Sequence, residues 1–233
     1  MIEVLTVGAT TPLPDFHQRI TAAFEAVMLV RCAQPGSSRG GPVPAPWSRR
    51  LDEVLVEFSR LEAAQRLLIL LGRLGYPATQ RVRSAGIREQ HPIYQIVLAT
   101  EVHREVDLLL HNGWRSGRAL LVDPPGYLTP RRCRHRDHLA VAAWRAATLA
   151  AGHKRQRGGR GFYIGDGDTM TVLVRAGRVL DINVTAQRRY GCHLVQLPET
   201  GSGTLRTAAE PGRQPSSHPQ NSSHNRRPSV GLS

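Results

Sequence analysis

The sequence predicts an α+β protein built from two similar halves. Three observations carry this. Segments with helical spacing of apolar residues alternate with short runs of period two. Leu74-Gly75-Tyr76-Pro77-Ala78-Thr79-Gln80-Arg81 is echoed by Leu180-Asp181-Ile182-Asn183-Val184-Thr185-Ala186-Gln187-Arg188, and each copy leads into a turn and another apolar strand. His138–Ala151 carries a face of small residues that suits close helix packing. Together they give two α-β-α-β-β units of about 90–100 residues, the size of small domains.

Phe16–Cys32 places Ile20, Phe24, Val27, Met28 and Leu29 at helical spacing, with Asp15 as its cap. Gln34–Trp47 is dense in proline and glycine and reads as a loop. Asp52–Phe58 is a strand. Ser59–Leu74 is the clearest helix, with Leu61, Ala64, Leu68 and Leu71 in one stripe, a capping-box spacing from Ser59 to Glu62, and Gly75 as its stop. Ala78–Val82 and Ile93–Ala99 are strands joined by a polar hairpin loop. Thr100–Leu110 is a helix stopped by Asn112-Gly113, and His138–Ala151 is the third strong helix. Met170, Val172 and Val174 alternate with Thr171, Leu173 and Arg175, a local pattern of a strand hairpin. Arg206–Ser233 lacks large apolar residues and is expected to be disordered. The division is therefore 1–113, 114–205 and a tail from 206 to 233.

The 233 residues carry a net charge of +13, and Lys154 is the only lysine. A polyanion partner is plausible at that charge, and a solvated basic surface is the plain alternative. No run approaches the roughly 20 apolar residues of a membrane span, and no basic segment opens an apolar signal. Three scattered cysteines, Cys32, Cys133 and Cys192, make no disulfide framework and favour the cytoplasm.

Ala142-Ala143-Trp144-Arg145-Ala146-Ala147-Thr148-Leu149-Ala150-Ala151-Gly152 resembles the AAWRGAFLAxG helix of the WhiA family of sporulation and cell-division regulators. Val54–Tyr76 resembles the strand and helix of that family's first half. Ser84-Ala85-Gly86-Ile87-Arg88 with Tyr94-Gln95-Ile96-Val97-Leu98 resembles its SxGIRK…YVLRV hairpin, and Arg178–Leu197 the matching hairpin of its second half. The resemblance spans about residues 17–200. It implies a degenerate LAGLIDADG homing-endonuclease fold: two pseudo-symmetric αββαββ halves meeting along Phe16–Cys32 and Ala142–Gly152, each with a sheet that faces DNA. It also implies a helix at about Asp168–Val179, kept here against the local hairpin pattern. The family's C-terminal helix-turn-helix and the last helix of the second half have no counterpart, as in a truncated, frameshifted or divergent paralogue.

Two-metal phosphodiester cleavage needs carboxylates at the ends of both interface helices. These helices end Val30-Arg31-Cys32-Ala33-Gln34 and Leu149-Ala150-Ala151-Gly152-His153-Lys154, without an acid, and Arg31 and Lys154 would repel a metal. No cleavage, metal or cofactor is expected. Cys133, His135 and His138 lack the second ligand pair of a zinc site. His135-Arg136-Asp137 lacks the rest of a kinase signature. Gly158-Gly159-Arg160-Gly161 and Gly165-Asp166-Gly167 read as loops rather than a nucleotide site.

The expected partner is DNA, held mainly by its phosphates. The contacts are arginines on the hairpins, Arg81, Arg83 and Arg88 in the first half and Arg175, Arg178, Arg188 and Arg189 in the second. Lys154 and Arg155 join them from the loop after the interface helix. The expected function is non-enzymatic, nucleoid-associated control of transcription in sporulation or cell division, with another transcription regulator as a further partner. A LAGLIDADG-type nuclease using Glu25, Asp166 or Asp168, and an interaction module that never touches DNA, are the alternatives.

Overall fold

A computed structural model describes residues 16–33, 54–85, 90–122, 129–151, 154–156 and 159–197. The expected cap Asp15, the loop at 34–47, Arg88 and the tail lie outside these residues. The described elements fall into two matching series. The first is α1 (Phe16–Ala33), β1 (Val54–Phe58), α2 (Leu61–Arg73), β2 (Ala78–Ala85) and β3 (His91–Leu98). The second is α4 (Pro130–Ala150), β4 (Lys154–Gln156), β5 (Gly159–Ile164), α5 (Gly167–Val179), β6 (Thr185–Arg189) and β7 (Cys192–Leu197). Helix α3 (His103–Val122) joins them. Both sheets are antiparallel, in the orders β1-β3-β2 and β4-β5-β7-β6, so β1, β3 and β2 match β5, β7 and β6. The α+β fold of two pseudo-symmetric halves is the one expected.

The internal repeat is a repeated helix ending. Tyr76 N–H donates to the Leu71 carbonyl (2.9 Å) and Ile182 N–H to the Gly177 carbonyl (2.8 Å), both spanning the last turn. Between each pair sits a left-handed residue, Gly75 (φ 92°) in one half and Asp181 (φ 53°) in the other. This is the Schellman motif, which satisfies the final carbonyls and turns the chain into the following strand.

Helix α1 is buried almost all round, from Ala23 to Val30, the mark of a helix at the centre of a domain. It packs most extensively on α4, whose Leu139, Ala142, Ala143, Ala146 and Ala150 are buried. The interface of two alanine-rich helices is thus present, and α4 starts eight residues earlier than the alanine pattern predicts, capped by Thr129 with Pro130 in its first turn. Each sheet turns one face to this helical layer. Val56, Phe58, Ile96 and Leu98 do so in the first, and Phe162, Ile164, Val195 and Leu197 in the second.

Three local expectations fail. Asn112-Gly113 does not stop a helix: α3 runs through it, because Gly113 and Gly117 lie against Ala23 and Phe24 of α1, where a side chain would not fit. Ser59 does not cap α2; the N-cap is Arg60, without a side-chain cap bond, and its guanidinium instead donates to the Thr148 carbonyl near the end of α4 (3.1 Å). The local hairpin pattern over Met170–Arg175 gives way to the helix kept at Asp168–Val179, which is present as α5: Thr169, Val172, Leu173, Ala176 and Gly177 are buried on one face, and Asp166 caps it.

Candidate nucleic-acid interface

The open face of the first sheet follows from register and alternation. Glu57 of β1 pairs with Gln95 of β3, which pairs with Arg81 of β2, so the three side chains form one row across the sheet. Arg83, two residues on, shares that face. Its guanidinium reaches over β3 and donates to Glu57 at 2.9, 3.0 and 3.2 Å, and Gln95 Nε2 donates to the same carboxylate at 2.7 Å. Burial alone would raise the Glu57 carboxyl. The hydrogen bonds from Arg83 and Gln95 and the Arg83 charge outweigh it, and the group sits below the usual carboxylate range. Arg83 is thereby held in a fixed pose across the sheet, with half of its side chain exposed.

In the second sheet the equivalent row is Tyr163, Leu194 and Gln187, without a carboxylate and with Leu194 fully buried. Gln187 and Arg189 of β6 share the open face, and Arg189 donates to Gln187 at 3.2 Å. Arg83 lies eight residues beyond Gly75, and Arg189 eight beyond Asp181, so the two arginines hold equivalent positions in the halves. Tyr190 follows at the β6–β7 turn, 90% exposed, beside Gly191 in a left-handed conformation. Sequence reasoning missed Tyr190; the turn signal Tyr-Gly after two arginines could have found it.

The other expected contacts fall elsewhere. Arg188 pairs with His193 and points to the face opposite Arg189, because neighbours in a strand alternate. Arg175 and Arg178 are not on a hairpin. They lie on α5, exposed on its solvent side, while the opposite side of that helix packs on the sheet and α4. Lys154 and Arg155 are not in a loop but form the edge strand β4, opposite Gly161 and Arg160. Gly159, Arg160 and Gly161 likewise belong to β5.

At the end of α1, Arg31 is turned inward. It donates to Asp166 (2.8 Å) and to Thr169 Oγ1 (2.8 Å), and its guanidinium stacks on Trp114 at 4.0 Å. Burial would raise the Asp166 carboxyl, but Arg31 and the hydrogen bonds from Thr169 outweigh it and hold it below its ordinary value. Cys32 beside it is fully buried, and burial, with help from the Asp166 charge, pushes its thiol up to about 12.

The nearest carboxylates do not converge. Glu25 is buried two turns before the end of α1, held by Arg66 at 2.7 Å through both oxygens and by Arg145 at 3.3 Å. Asp166 is tied to Arg31, and Asp168 is exposed, 3.4 Å from Arg118. Among the described residues no three His, Cys, Asp or Glu side chains cluster as metal ligands. Cys133 and His135, two residues apart on α4, differ in exposure, the first exposed and the second buried.

No protein-family model matches the chain, and no curated protein matches it. Among solved structures it is similar to the N-terminal LAGLIDADG domain of DUF199/WhiA, with a TM-score of 0.51 and 12% identity over 89% of this chain and 88% of that one. A second similar structure is I-DmoI in complex with DNA and manganese, with a TM-score of 0.48 and 10% identity over 85% of this chain and 99% of that one. At 12% identity the first likeness is one of architecture, and it agrees with the two matched halves, the paired central helices and the two sheets: the chain has a LAGLIDADG-type fold.

Proposed function

We propose that this chain is a non-enzymatic DNA-binding regulator whose open sheet faces lie on the phosphate backbone. The observation that carries this is the repeated placement of Arg83 and Arg189, at equivalent positions of the two sheets. Around them stand Arg81, Gln95, Gln187 and the exposed Tyr190. Guanidinium groups on a twisted ribbon reach phosphates and guanine edges, and an exposed aromatic ring offers a base a stacking surface. By register Lys154 of the edge strand falls in the row of Gly161 and Gln196 and joins the same set, whereas Arg155, opposite Arg160, alternates to the other face as Arg188 does. The net charge of +13 favours such contacts through counterion release.

Non-enzymatic action rests on the carboxylates. Each of the three nearest is engaged by an arginine, and a metal ion at Asp166 or Glu25 would have to displace a charge-assisted bond. A role in sporulation or cell-division control, in the cytoplasm and on the nucleoid, follows from the WhiA resemblance and belongs to the same proposal, as does a second regulator as partner.

Gel shifts on a duplex of arbitrary sequence test it. For six or more phosphate contacts, affinity falls about a thousandfold between roughly 50 and 200 mM salt. A plasmid-nicking assay with Mg²⁺ is expected to show intact supercoiled DNA. Metal-dependent nicking removed by Glu25→Gln or Asp166→Asn would replace this reading with the nuclease one. Absence of binding at low salt would replace it with the interaction module.

A further inference from the structure

Away from the sheets, the N-terminal halves of α1 and α4 and the end of α2 line an open cavity of about 790 Å³. That lies within the range of pockets for cofactor-sized molecules, about 300–1,000 Å³. The distance from Thr21 on its wall to Arg31 at the end of α1 is ten residues, or about 15 Å of helix. None of its lining residues belongs to either sheet, so the cavity is separate from the candidate DNA face.

Its walls carry five arginines, Arg66, Arg73, Arg131, Arg134 and Arg145, against a single carboxylate, Glu25. Glu25 engages Arg66 and Arg145. Arg73, Arg131 and Arg134 have no ion-pair partner among the described residues, which leaves like charges around one hollow. Guanidinium forks match phosphate oxygens in pairs. Ala22 and Val141, both partly exposed, supply the apolar surface that is open to it. His135, 6% exposed, lies between His17 and His138, and its Nδ1 shares a hydrogen bond with His17 Nδ1 at 3.2 Å. Its Nε2 is buried with no partner among the described residues.

We propose that this cavity binds a small organic polyphosphate of the nucleoside di- or triphosphate class, with its phosphates on Arg73, Arg131 and Arg134 and its organic part against Ala22 and Val141. The arginine-rich start of α4, Arg131-Arg132-Cys133-Arg134-His135, is then a ligand-binding segment.

Isothermal titration of the full chain with sodium pyrophosphate and with ATP tests the site. Both give saturable one-to-one binding. Equal affinities mean that phosphate alone is read, and at least tenfold tighter ATP means that the apolar wall is used. Arg131→Ala/Arg134→Ala weakens both by at least tenfold, while the melting temperature without ligand and the affinity for duplex DNA stay unchanged. Arg73→Ala repeats the loss should the double variant fold poorly. Arg81→Ala/Arg83→Ala leaves both affinities unchanged, so the cavity and the DNA face succeed or fail separately. The proposal is overturned by no binding at millimolar ligand, by equal losses in the Arg81/Arg83 and Arg131/Arg134 variants, or by a duplex oligonucleotide that displaces pyrophosphate from Arg131 and Arg134.

Discussion

Replacing Gly117 by alanine measures how closely α3 lies on α1. A Cβ at Gly117 would overlap Cγ, Cδ2 and Cε2 of Phe24, and one at Gly113 would come within 2.8 Å of the Ala23 backbone. Phe24 has no exposed surface and stacks on Trp114 at 6.4 Å, so its ring has nowhere to retreat. Overpacking of this kind costs about 1–3 kcal/mol, and the clash with ring atoms close to the backbone places it at the upper end. Alanine recovers about 1 kcal/mol of helix propensity, which leaves a net loss of about 2 kcal/mol. Gly72 is the control. It is also helical, but nothing lies within 4 Å of its added Cβ, so Gly72→Ala gains about 0.5–1 kcal/mol. For a chain of this size the two variants should differ in melting temperature by roughly 6–12 °C, with the wild type between them. Thermal and urea unfolding followed by circular dichroism read this. A Gly117→Ala protein as stable as Gly72→Ala would refute the contact between α3 and α1.

Other outcomes follow from the buried charges. Glu25→Ala leaves Arg66 and Arg145, each one-fifth exposed, without their shared carboxylate; the loss is about 3 kcal/mol, read from the urea midpoint, and a change below 0.5 kcal/mol contradicts the pairing. Asp166 binds its proton more weakly in the folded than in the unfolded chain. Its contribution is thus complete above the unfolded carboxyl value and is lost as pH falls through the folded one. Wild-type urea midpoints should drop more steeply than those of Asp166→Asn between roughly pH 5 and 2, and parallel curves would remove the Arg31–Asp166 pair from the account. Alkylation at pH 8 with mass-spectrometric readout should modify exposed Cys133 and spare Cys32 until the chain unfolds. Early labelling of Cys32 would place the end of α1 at the surface.

Much of this architecture was legible because local and tertiary signals agreed. The leucine stripe of α2 with its Gly75 stop, the alanine face of α4, and the repeat after Leu74 and Leu180 each matched the element found there. The misreadings came where packing overrode a local signal. Gly113 looks like a helix terminator, but the glycine serves the approach of α1. Met170, Val172 and Val174 are strand-like by composition, yet Asp166 caps a helix whose buried set recurs every three to four residues. The hairpin pattern puts Arg175 and Arg178 on a ribbon, whereas the helix that the family resemblance implies carries them on its solvent side. Arg188 and Arg189 were grouped as neighbours in sequence, and a strand separates such neighbours onto opposite faces. The basic cavity draws on three helices, and only its α4 wall forms a visible run of arginine and histidine. Glu57 under Arg83 depends on strand order, which no local pattern reports.

The most direct test of the DNA-face reading is the salt dependence of duplex affinity for the wild type, for Arg81→Ala/Arg83→Ala/Arg189→Ala and for Arg175→Ala. Each lost phosphate contact lowers the slope of log affinity against log salt by about 0.9. The triple variant should therefore lose about two to three units of slope, and Arg175→Ala, on the far side of α5, should match the wild type. Equal slopes for the triple variant and the wild type, or a loss in Arg175→Ala as large as in the triple variant, would contradict a duplex lying on the open sheet faces.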